Sequence, residues 1–418
     1  MGGDETEVNG GGEKTEKTVF LTGVIEGFYN RPWTKHQRLD LFKKLNKYKL
    51  NSYLYAPKDD AKHRSKWREL YTEAECQDIK QLIDCCRENN VTFFYGISPG
   101  LDIKYSDPKE IELLHKKTKQ IKALGCEGFA ILWDDIEPEL SDEDAKHFTS
   151  FSHAHCQVSN TLYQELDKPQ FLFCPVEYCS SRSVPAVQES EYLRTMGDQL
   201  DKSIQVFWTG SKVVSEVITV KECKELAEVI KRKPIIWDNL HANDYDHQRL
   251  FLGPYLGRDR SVSPSSYLSG AMTNPNCEYS LNTPAIVTLA DWANNEDWDN
   301  TGYHANKIAV KEFLEETKVH SYDASEKHAS RNDDLDPEDV LKESDVDLFF
   351  QMFWLPHSHG PRMEELLENF RFCRDNAAAV RGWKNFDIDD QPDIIDEWME
   401  KATAVNNICK HFYSVRMP

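Results

Sequence analysis

Two adjacent carboxylates, Asp134 and Asp135, directly follow the apolar segment 129–133. A short apolar run of this kind is typical of a buried strand. Two carboxylates this close each raise the cost of ionising the other, so their affinities for a proton separate. One of them can stay ionised while the other holds a proton to donate. The pair therefore predicts acid–base catalysis, with a helix N-cap or a metal site as the alternatives.

Further polar and aromatic residues come just after other apolar runs. Lys58 can bind a substrate hydroxyl or pair with a neighbouring aspartate. Aromatic faces cover the apolar faces of pyranose rings, so Tyr29, Tyr178 and Trp237 predict either a sugar platform or ordinary core packing. Without other information, core packing is the stronger of the two interpretations of these aromatic residues.

The elements that must position these residues are eight short β-rich runs, separated by amphipathic segments. Strand–helix alternation at this spacing indicates a parallel sheet, and eight units in about 280 residues fit a (β/α)8 TIM barrel. An open doubly wound sheet is disfavoured because no GxGxxG follows the first run. The runs lie at 19–25, 51–55, 91–97, 128–133, 170–174, 204–208, 234–237 and 267–273.

The remaining segments differ from the predicted barrel in composition and in the pattern of their apolar residues. Residues 1–17 are polar and glycine-rich, which predicts a disordered tail before a catalytic domain at 18–300. A helix at 301–318 is predicted to join the barrel to a polar linker at 319–337. Residues 338–418 carry three amphipathic stripes, which predict an α-helical stalk-like bundle packed on the barrel or on another chain.

Composition narrows the class of partner. The net charge of −21 argues against nucleic acid and anionic membranes, whose phosphates repel such a surface. No apolar run approaches the roughly 20 residues of a membrane span, and the N-terminus lacks the apolar core of a signal peptide. Eleven cysteines without a CxxC pair favour a reducing compartment over a disulfide framework or a zinc site. We expect a cytoplasmic and nuclear protein without a metal or a cofactor.

At these residues the sequence resembles glycoside hydrolase family 84, the O-GlcNAcase family, across residues 19–292. The likeness is to the animal nucleocytoplasmic type, and the C-terminal helices look like the start of that type's stalk domain. One departure is Asn30, where the family usually has glycine. The matching motifs are EGFY (26–29), YLYAPKDD (53–60), ISPGLD (97–102), DDI (134–136), FLFCP (171–175), WTG (208–210), WDN (237–239), HANDY (241–245) and TNPNCE (273–278).

The resemblance implies substrate-assisted hydrolysis with retention of configuration. Asp134 would orient the 2-acetamido group of the sugar, whose carbonyl oxygen attacks the anomeric carbon to form an oxazoline. Asp135 would protonate the leaving serine or threonine oxygen and then activate water. Hydrogen bonds to the sugar would come from Gly27, Lys58, Asn239, Asp244 and Asn274, and its pocket would be lined by Tyr178 and Trp237. The implied partners are O-GlcNAc-modified proteins and a second protomer, which would form a homodimer through the stalk.

Three other functions remain open at this stage. Another N-acetylhexosaminidase, chitinase-like or hyaluronidase-like, would keep the barrel and change the acceptor. A sugar-binding pseudoenzyme would recognise glycosylated proteins without cleaving them. The joint presence of the predicted catalytic and sugar-binding side chains argues against it, namely Asp134, Asp135, Lys58, Asn239 and Asp244. A metal-dependent aldolase would use Asp134 and Asp135 as ligands, but the sequence offers it no convincing third ligand.

Overall fold

The centre of the fold is a closed barrel of eight parallel strands, each paired with its neighbours in chain order. The computed structural model describes residues 19–29, 32–137, 139–246, 248–326, 341–382 and 393–414. The barrel confirms the predicted (β/α)8 architecture. Its strands are β1 (Leu21–Glu26), β2 (Ser52–Tyr55), β3 (Thr92–Ile97), β4 (Gly128–Leu132), β5 (Gln170–Cys174), β6 (Gln205–Trp208), β7 (Ile235–Asp238) and β8 (Gly270–Thr273).

Helices cover the outside of the barrel, so the strands are buried on both faces. Between β7 and β8 the described residues form a long loop with one 3-10 turn, Pro264–Ser266. The covering helices are α1 (Lys35–Lys47), α2 (Glu73–Glu88), α3 (Pro108–Ala123), α4 (Phe151–Glu165), α5 (Glu191–Gln199), α6 (Val220–Ile230) and α7 (Thr283–Asn294).

Two apolar layers result from the alternation of side chains along the strands. One layer lies between strands and helices and includes Tyr53, Phe93 and Phe129. The other fills the barrel interior, with Leu54, Phe94 and other side chains from alternate positions. Because the interior is packed with side chains, a ligand site must form above the barrel, where the strands end.

A capping residue in the sequence starts an α-helix only where the residues that follow it continue the helix. Thr219 and Glu222 form a capping box at the start of α6. Ser141 does cap the backbone of Asp144, but this segment forms only a 3-10 turn, and α4 begins later behind Ser150. The Asp144 carboxylate also accepts from the Ser106 amide at 2.7 Å, which ties this turn to the preceding loop.

The chain continues after the barrel with a helix longer than predicted. Helix α8 (Tyr303–Glu326) extends eight residues into the segment predicted as a linker. The segment is polar, but no proline or glycine interrupts it before Pro337, so polarity alone does not end the helix. The rest of that segment, like the predicted disordered tail at 1–17, lies outside the described residues.

The predicted three-stripe bundle divides into two parts. Helix α9 (Glu343–Met352) packs on α8, with the rings of Phe313 and Phe350 5.3 Å apart. The residues after α9 bind the β7–β8 loop, where the Leu252 amide donates to the Phe353 carbonyl at 2.7 Å. The remaining helices are α10 (Pro361–Asp375), α11 (Ala377–Gly382) and α12 (Asp393–Ser414).

Helices α10 and α12 contact each other away from the barrel. The Trp398 indole on α12 donates to the Cys373 carbonyl on α10 at 2.8 Å. Among the helices that the structure describes, none combines the length and the apolar character that crossing a membrane requires. No disulfide joins any of the ten cysteines whose side chains the structure describes.

Candidate active site

All nine residues predicted to act on the substrate line one cavity where the strands end. The cavity measures about 400 Å³, counted with the solvent space at its mouth. Its lining consists of Gly27, Tyr29, Lys58, Asp134, Asp135, Cys174, Tyr178, Thr209, Val213, Trp237, Asn239, Asp244, Tyr245 and Asn274.

The backbone after β4 brings both aspartates to the same cavity. Successive residues of a strand point to opposite faces, so continued strand geometry would separate the two carboxylates. Asp135 instead has a φ of 53°, in the left-handed region that aspartate tolerates better than most residues. This turn breaks the alternation, and both side chains line the pocket.

Asp134 is the buried member of the pair, with 8% of its surface exposed. Its Oδ2 accepts a hydrogen bond from the Nζ of Lys58 at 3.2 Å. Burial favours a higher pKa for this carboxyl, but the charges of Lys58 and Arg64 outweigh burial, and the pKa of Asp134 is lowered. Asp134 is therefore ionised at neutral pH. Its other oxygen, Oδ1, is buried and has no hydrogen-bond partner among the described residues.

Lys58 reaches Asp134 because the loop that follows β2 is anchored. Asp60 accepts hydrogen bonds from the Tyr55 hydroxyl at 3.0 Å and from the Tyr71 hydroxyl at 2.7 Å. The ammonium of Lys58 also lies 5.5 Å from the centre of the Tyr29 ring, where a cation is attracted to the aromatic face. Lys58 therefore lines the pocket, and its ion-pair partner there is Asp134.

Asp135 is more exposed to solvent than Asp134, with 39% of its side chain exposed. Its Oδ1 accepts from the Tyr178 hydroxyl at 2.9 Å and from Arg182 Nη2 at 3.0 Å. Burial and the charge of Asp135 raise the pKa of Tyr178, so the phenol stays protonated and remains a donor. The two carboxylates thus differ in burial, in partners and in access to solvent.

A chain of amide hydrogen bonds forms another side of the pocket. Asn239 Oδ1 accepts from the indole of Trp237 at 3.1 Å and from Asn274 Nδ2 at 3.0 Å. Asn274 Oδ1 accepts from the backbone amide of Gly27 at 3.2 Å. A Cβ on Gly27 would lie 2.7 Å from the Trp237 ring, so only glycine lets this backbone approach the indole. The chain joins the ends of β1, β7 and β8 at the pocket.

Asn239 is positioned by a buried ion pair directly before it. Arg258 binds Asp238 through two nitrogens, each 2.6 Å from a carboxylate oxygen. The Tyr255 hydroxyl donates to the same carboxylate at 2.6 Å. Burial favours a higher pKa for Asp238, but the charge of Arg258 outweighs it, and the pKa is lowered. This network attaches the end of β7 to the β7–β8 loop.

The mouth of the pocket has features that sequence reasoning missed. Asp244 Oδ2 accepts from the Tyr29 amide at 2.9 Å, which joins the loops after β1 and β7. Tyr245, 57% exposed, lies beside Asp244 and was not singled out, although it ends a matching motif. The sequence pattern does not predict a place for Arg182 in the site, because Arg182 lies eight residues beyond β5. Only the folded loop brings it back to Asp135. Asn30 lies outside the described residues.

Among the residues that the structure describes, no group of three or more histidine, cysteine, aspartate or glutamate side chains is placed to hold a metal ion. The aldolase interpretation of Asp134 and Asp135 therefore has no third ligand of these types within the described part of the chain. His153 and His155 lie on α4, away from the residues that line the pocket.

Comparison with known proteins places these features in a family. The family model described as beta-N-acetylglucosaminidase matches residues 22–328. The chain is 45% identical over 353 residues to the proteins named Protein O-GlcNAcase of Rattus norvegicus and Mus musculus. The match covers 82% of this chain and 37% of each relative. The chain thus spans well under half the length of these curated relatives.

Solved structures share the fold over nearly the whole chain. A mutant of the O-GlcNAc hydrolase of Thermobaculum terrenum superposes with a TM-score of 0.68 at 27% identity, covering 93% of this chain and 83% of that chain. The protein CpGH84B superposes with a TM-score of 0.70 at 27% identity, covering 94% of this chain and 63% of its own. The likeness therefore includes helices beyond the barrel.

Proposed function

The chain belongs to the beta-N-acetylglucosaminidase family of glycoside hydrolases, and we propose that it removes N-acetylglucosamine linked to serine and threonine of proteins. The observation that carries this proposal is the unequal environment of two adjacent carboxylates. Asp134 is buried against Lys58, whereas Asp135 is half exposed beside Tyr178. Asp134 suits a carboxylate that is charged before the sugar binds, and Asp135 suits exchange of a proton with a group that enters and leaves.

In the first step, ionised Asp134 accepts a hydrogen bond from the N–H of the 2-acetamido group and makes its carbonyl oxygen more nucleophilic. This oxygen attacks the anomeric carbon as the bond to the serine or threonine oxygen breaks. Asp135 gives its proton to that oxygen, because an alkoxide is a poor leaving group; such general acid catalysis contributes about 10²–10⁴ in rate. Asp134 takes the nitrogen proton, and the product is an oxazoline.

In the second step, Asp135 acts as a base on a water molecule. The water oxygen attacks the anomeric carbon, the oxazoline opens, and Asp134 returns the proton to the nitrogen. Two inversions give net retention without a bond between sugar and enzyme. The internal nucleophile needs no enzyme carboxylate at the anomeric carbon, because it is held beside that carbon by the sugar itself.

The pocket also supports the sugar-binding roles. Lys58, Asp244 and the amides of Asn239 and Asn274 offer hydrogen bonds to hydroxyls, with the backbone of Gly27 close by. Tyr178 and Trp237 provide aromatic surface for the sugar and its acetamide. These sugar-binding roles are part of the proposed function.

We further propose nuclear and cytoplasmic glycoproteins as substrates and a homodimer through α10–α12 as the assembly. Support for the first comes from the ten cysteines whose side chains the structure describes, none of which forms a disulfide, as is usual in a reducing compartment. Support for the second comes from apolar side chains exposed on these helices, Phe370 and Met399.

The test is release of N-acetylglucosamine from a glycosylated protein, compared with release from chitin oligomers. Preferential release from the glycoprotein, unaffected by a chelator, is expected. Cleavage of the oligomers with the glycoprotein left intact would instead support the chitinase-like hexosaminidase. Saturable binding of the glycoprotein without release of sugar would support the pseudoenzyme.

A further inference from the structure

An arginine lies beside the proposed general acid at the mouth of the pocket. The guanidinium of Arg182 donates to Asp135 Oδ1 at 3.0 Å and lies 4.6 Å from the centre of the Tyr178 ring. A guanidinium has five N–H donors, and Asp135 is its one side-chain acceptor among the residues that the structure describes. The side chain is 40% exposed, so the remaining donors are accessible to a ligand.

The backbone that carries Arg182 is held on both sides. The amides of Ser180 and Ser181 donate to the carbonyls of Gly210 and Ser211, each at 3.0 Å, which fixes the 3-10 turn to the loop after β6. The Arg182 amide itself donates to the Cys179 carbonyl at 3.0 Å. The anchored turn, the hydrogen bond to Asp135 and the contact with the Tyr178 ring together place the guanidinium at the mouth of the pocket.

The position of Arg182 follows the path of the leaving group. Under the proposed function, the serine or threonine oxygen must come within hydrogen-bonding reach of Asp135 to receive its proton. The residues next to that serine or threonine in the substrate then lie beside Asp135, and Arg182 is within one hydrogen bond of the same carboxylate. Substrate side chains that flank the glycosylated residue therefore come within reach of the guanidinium.

We propose that Arg182 is a specificity-determining residue that favours substrates with a carboxylate side chain close to the glycosylated serine or threonine. A planar guanidinium binds a carboxylate through two parallel hydrogen bonds, which a neutral amide of the same shape cannot match. The chain as a whole has a net charge of −21 and repels acidic peptides at long range. A preference for acidic flanks must therefore come from a local cation, and Arg182 provides one.

The proposal rests on the proposed function and is tested with three matched glycopeptides. They differ only in glutamate, glutamine or lysine beside the glycosylated serine, and an aryl N-acetylglucosaminide serves as a substrate without a peptide. The readout is the ratio of kcat/KM between the glutamate and glutamine peptides, because general losses of activity cancel in a ratio. At low salt, wild type should prefer glutamate by about threefold, the size expected for a solvent-accessible ion pair.

Variants and salt assign the preference to Arg182. Arg182→Met should bring the ratio to about one. Arg182→Glu should bring it below one and make the lysine peptide the preferred substrate. The control is Arg87→Met, because Arg87 is also an exposed arginine paired with an aspartate, Asp84 at 3.1 Å, and lies where α2 ends, before β3 begins. This places it at the opposite end of the barrel from the cavity, so the ratio should not change.

A wild-type ratio of one would overturn the proposal, and so would a ratio that Arg182→Met leaves unchanged. If Arg182→Met is inactive, the salt dependence of the wild-type enzyme still tests the proposal. A preference for the glutamate peptide that persists at 0.5 M salt does not come from the proposed ion pair. Release of sugar from none of the four substrates would contradict the proposed function itself. Equal release from all three peptides would contradict only the role of Arg182.

Discussion

Lys58 and Asp134 form an ion pair at the pocket, with Nζ 3.2 Å from Oδ2 and both side chains largely buried. Removing one partner of a buried pair leaves an uncompensated charge, at a cost of about 3–5 kcal/mol. The remaining carboxylate escapes that cost by taking up a proton. Lys58 therefore keeps Asp134 in the charged form that the proposed mechanism requires.

Lys58→Met should lower kcat/KM at neutral pH by about 10²-fold, because burial then raises the pKa of Asp134. In wild type the pKa of Asp134 is lowered, so the carboxylate is ionised throughout the neutral range. In the variant, the acidic limb of the pH profile should move to higher pH. Profiles measured with an aryl glycoside test this, with Lys35→Met as the control because Lys35 pairs with Asp78 on the surface. An unmoved acidic limb would contradict the assigned role.

Asp135→Ala should affect substrates according to their leaving groups. Loss should be large, about 10²–10⁴-fold, for serine-linked sugar, and much smaller for aryl glycosides with activated leaving groups, which need no proton. Asp134→Ala should reduce activity heavily on both, because its task does not depend on the leaving group. The kcat values of both variants on a series of aryl glycosides and a glycopeptide provide the test. Equal losses across the series would remove Asp135 as general acid.

Catalysis through the acetamide predicts a particular inhibitor and a substituent effect. A thiazoline that mimics the oxazoline should inhibit strongly, because it resembles the intermediate. Substrates with fluorinated N-acyl groups should react more slowly with each added fluorine, since fluorine withdraws charge from the attacking oxygen. Rates for the three fluorinated acetamides decide the matter. A flat response, or a trapped ester between sugar and enzyme, would be incompatible with the proposed mechanism.

The buried pair of Asp238 and Arg258 should link stability to pH. The folded pKa of Asp238 is lowered, so its contribution is present above the unfolded value of about 3.9 and is lost as pH falls through the folded value. Asp238→Asn should lower the free energy of unfolding at pH 7 by about 3–5 kcal/mol. Below pH 4, the free energy of unfolding should fall less steeply in this variant than in wild type. Urea denaturation across pH 3–7 measures both. The surface variant Asp84→Asn should cost less than about 1 kcal/mol, and an equal cost would refute the importance of burial.

Truncation should distinguish the two parts of the C-terminal region. Removal of residues 361–418 should leave aryl-glycoside activity intact, because every proposed catalytic group precedes Cys277, while activity on glycoproteins and dimer formation should fall. Removal of residues 338–418 should also lower stability. It removes Val346 and Phe350 and so exposes the apolar side chains on the barrel side that they cover. Sedimentation and thermal unfolding of both truncations check this. A full chain that sediments as a monomer at micromolar concentration would contradict the proposed dimer.

Local patterns in the sequence account for the barrel and for its helices. The eight strand positions follow from short apolar runs between amphipathic segments, and the structure places each strand within about two residues of its predicted start, or three in the case of β8. The nine residues predicted to act on the substrate line one cavity because each lies close to the carboxyl end of a strand, and these ends meet at the same edge of the barrel. Helix α8 runs eight residues into the segment predicted as a linker, because a polar segment without proline or glycine can continue as a helix.

By itself the sequence determined which residues could meet, since parallel strands all end at the same edge of a barrel. Only the tertiary structure decided how they meet. It turned Asp135 through a left-handed backbone so that both carboxylates face one cavity, and it paired Lys58 with Asp134 instead of its own neighbours. It also returned Arg182 to Asp135 across a loop. Such contacts depend on burial and on loops anchored by distant residues, whereas strand and helix periodicity is set by residues close together in the chain.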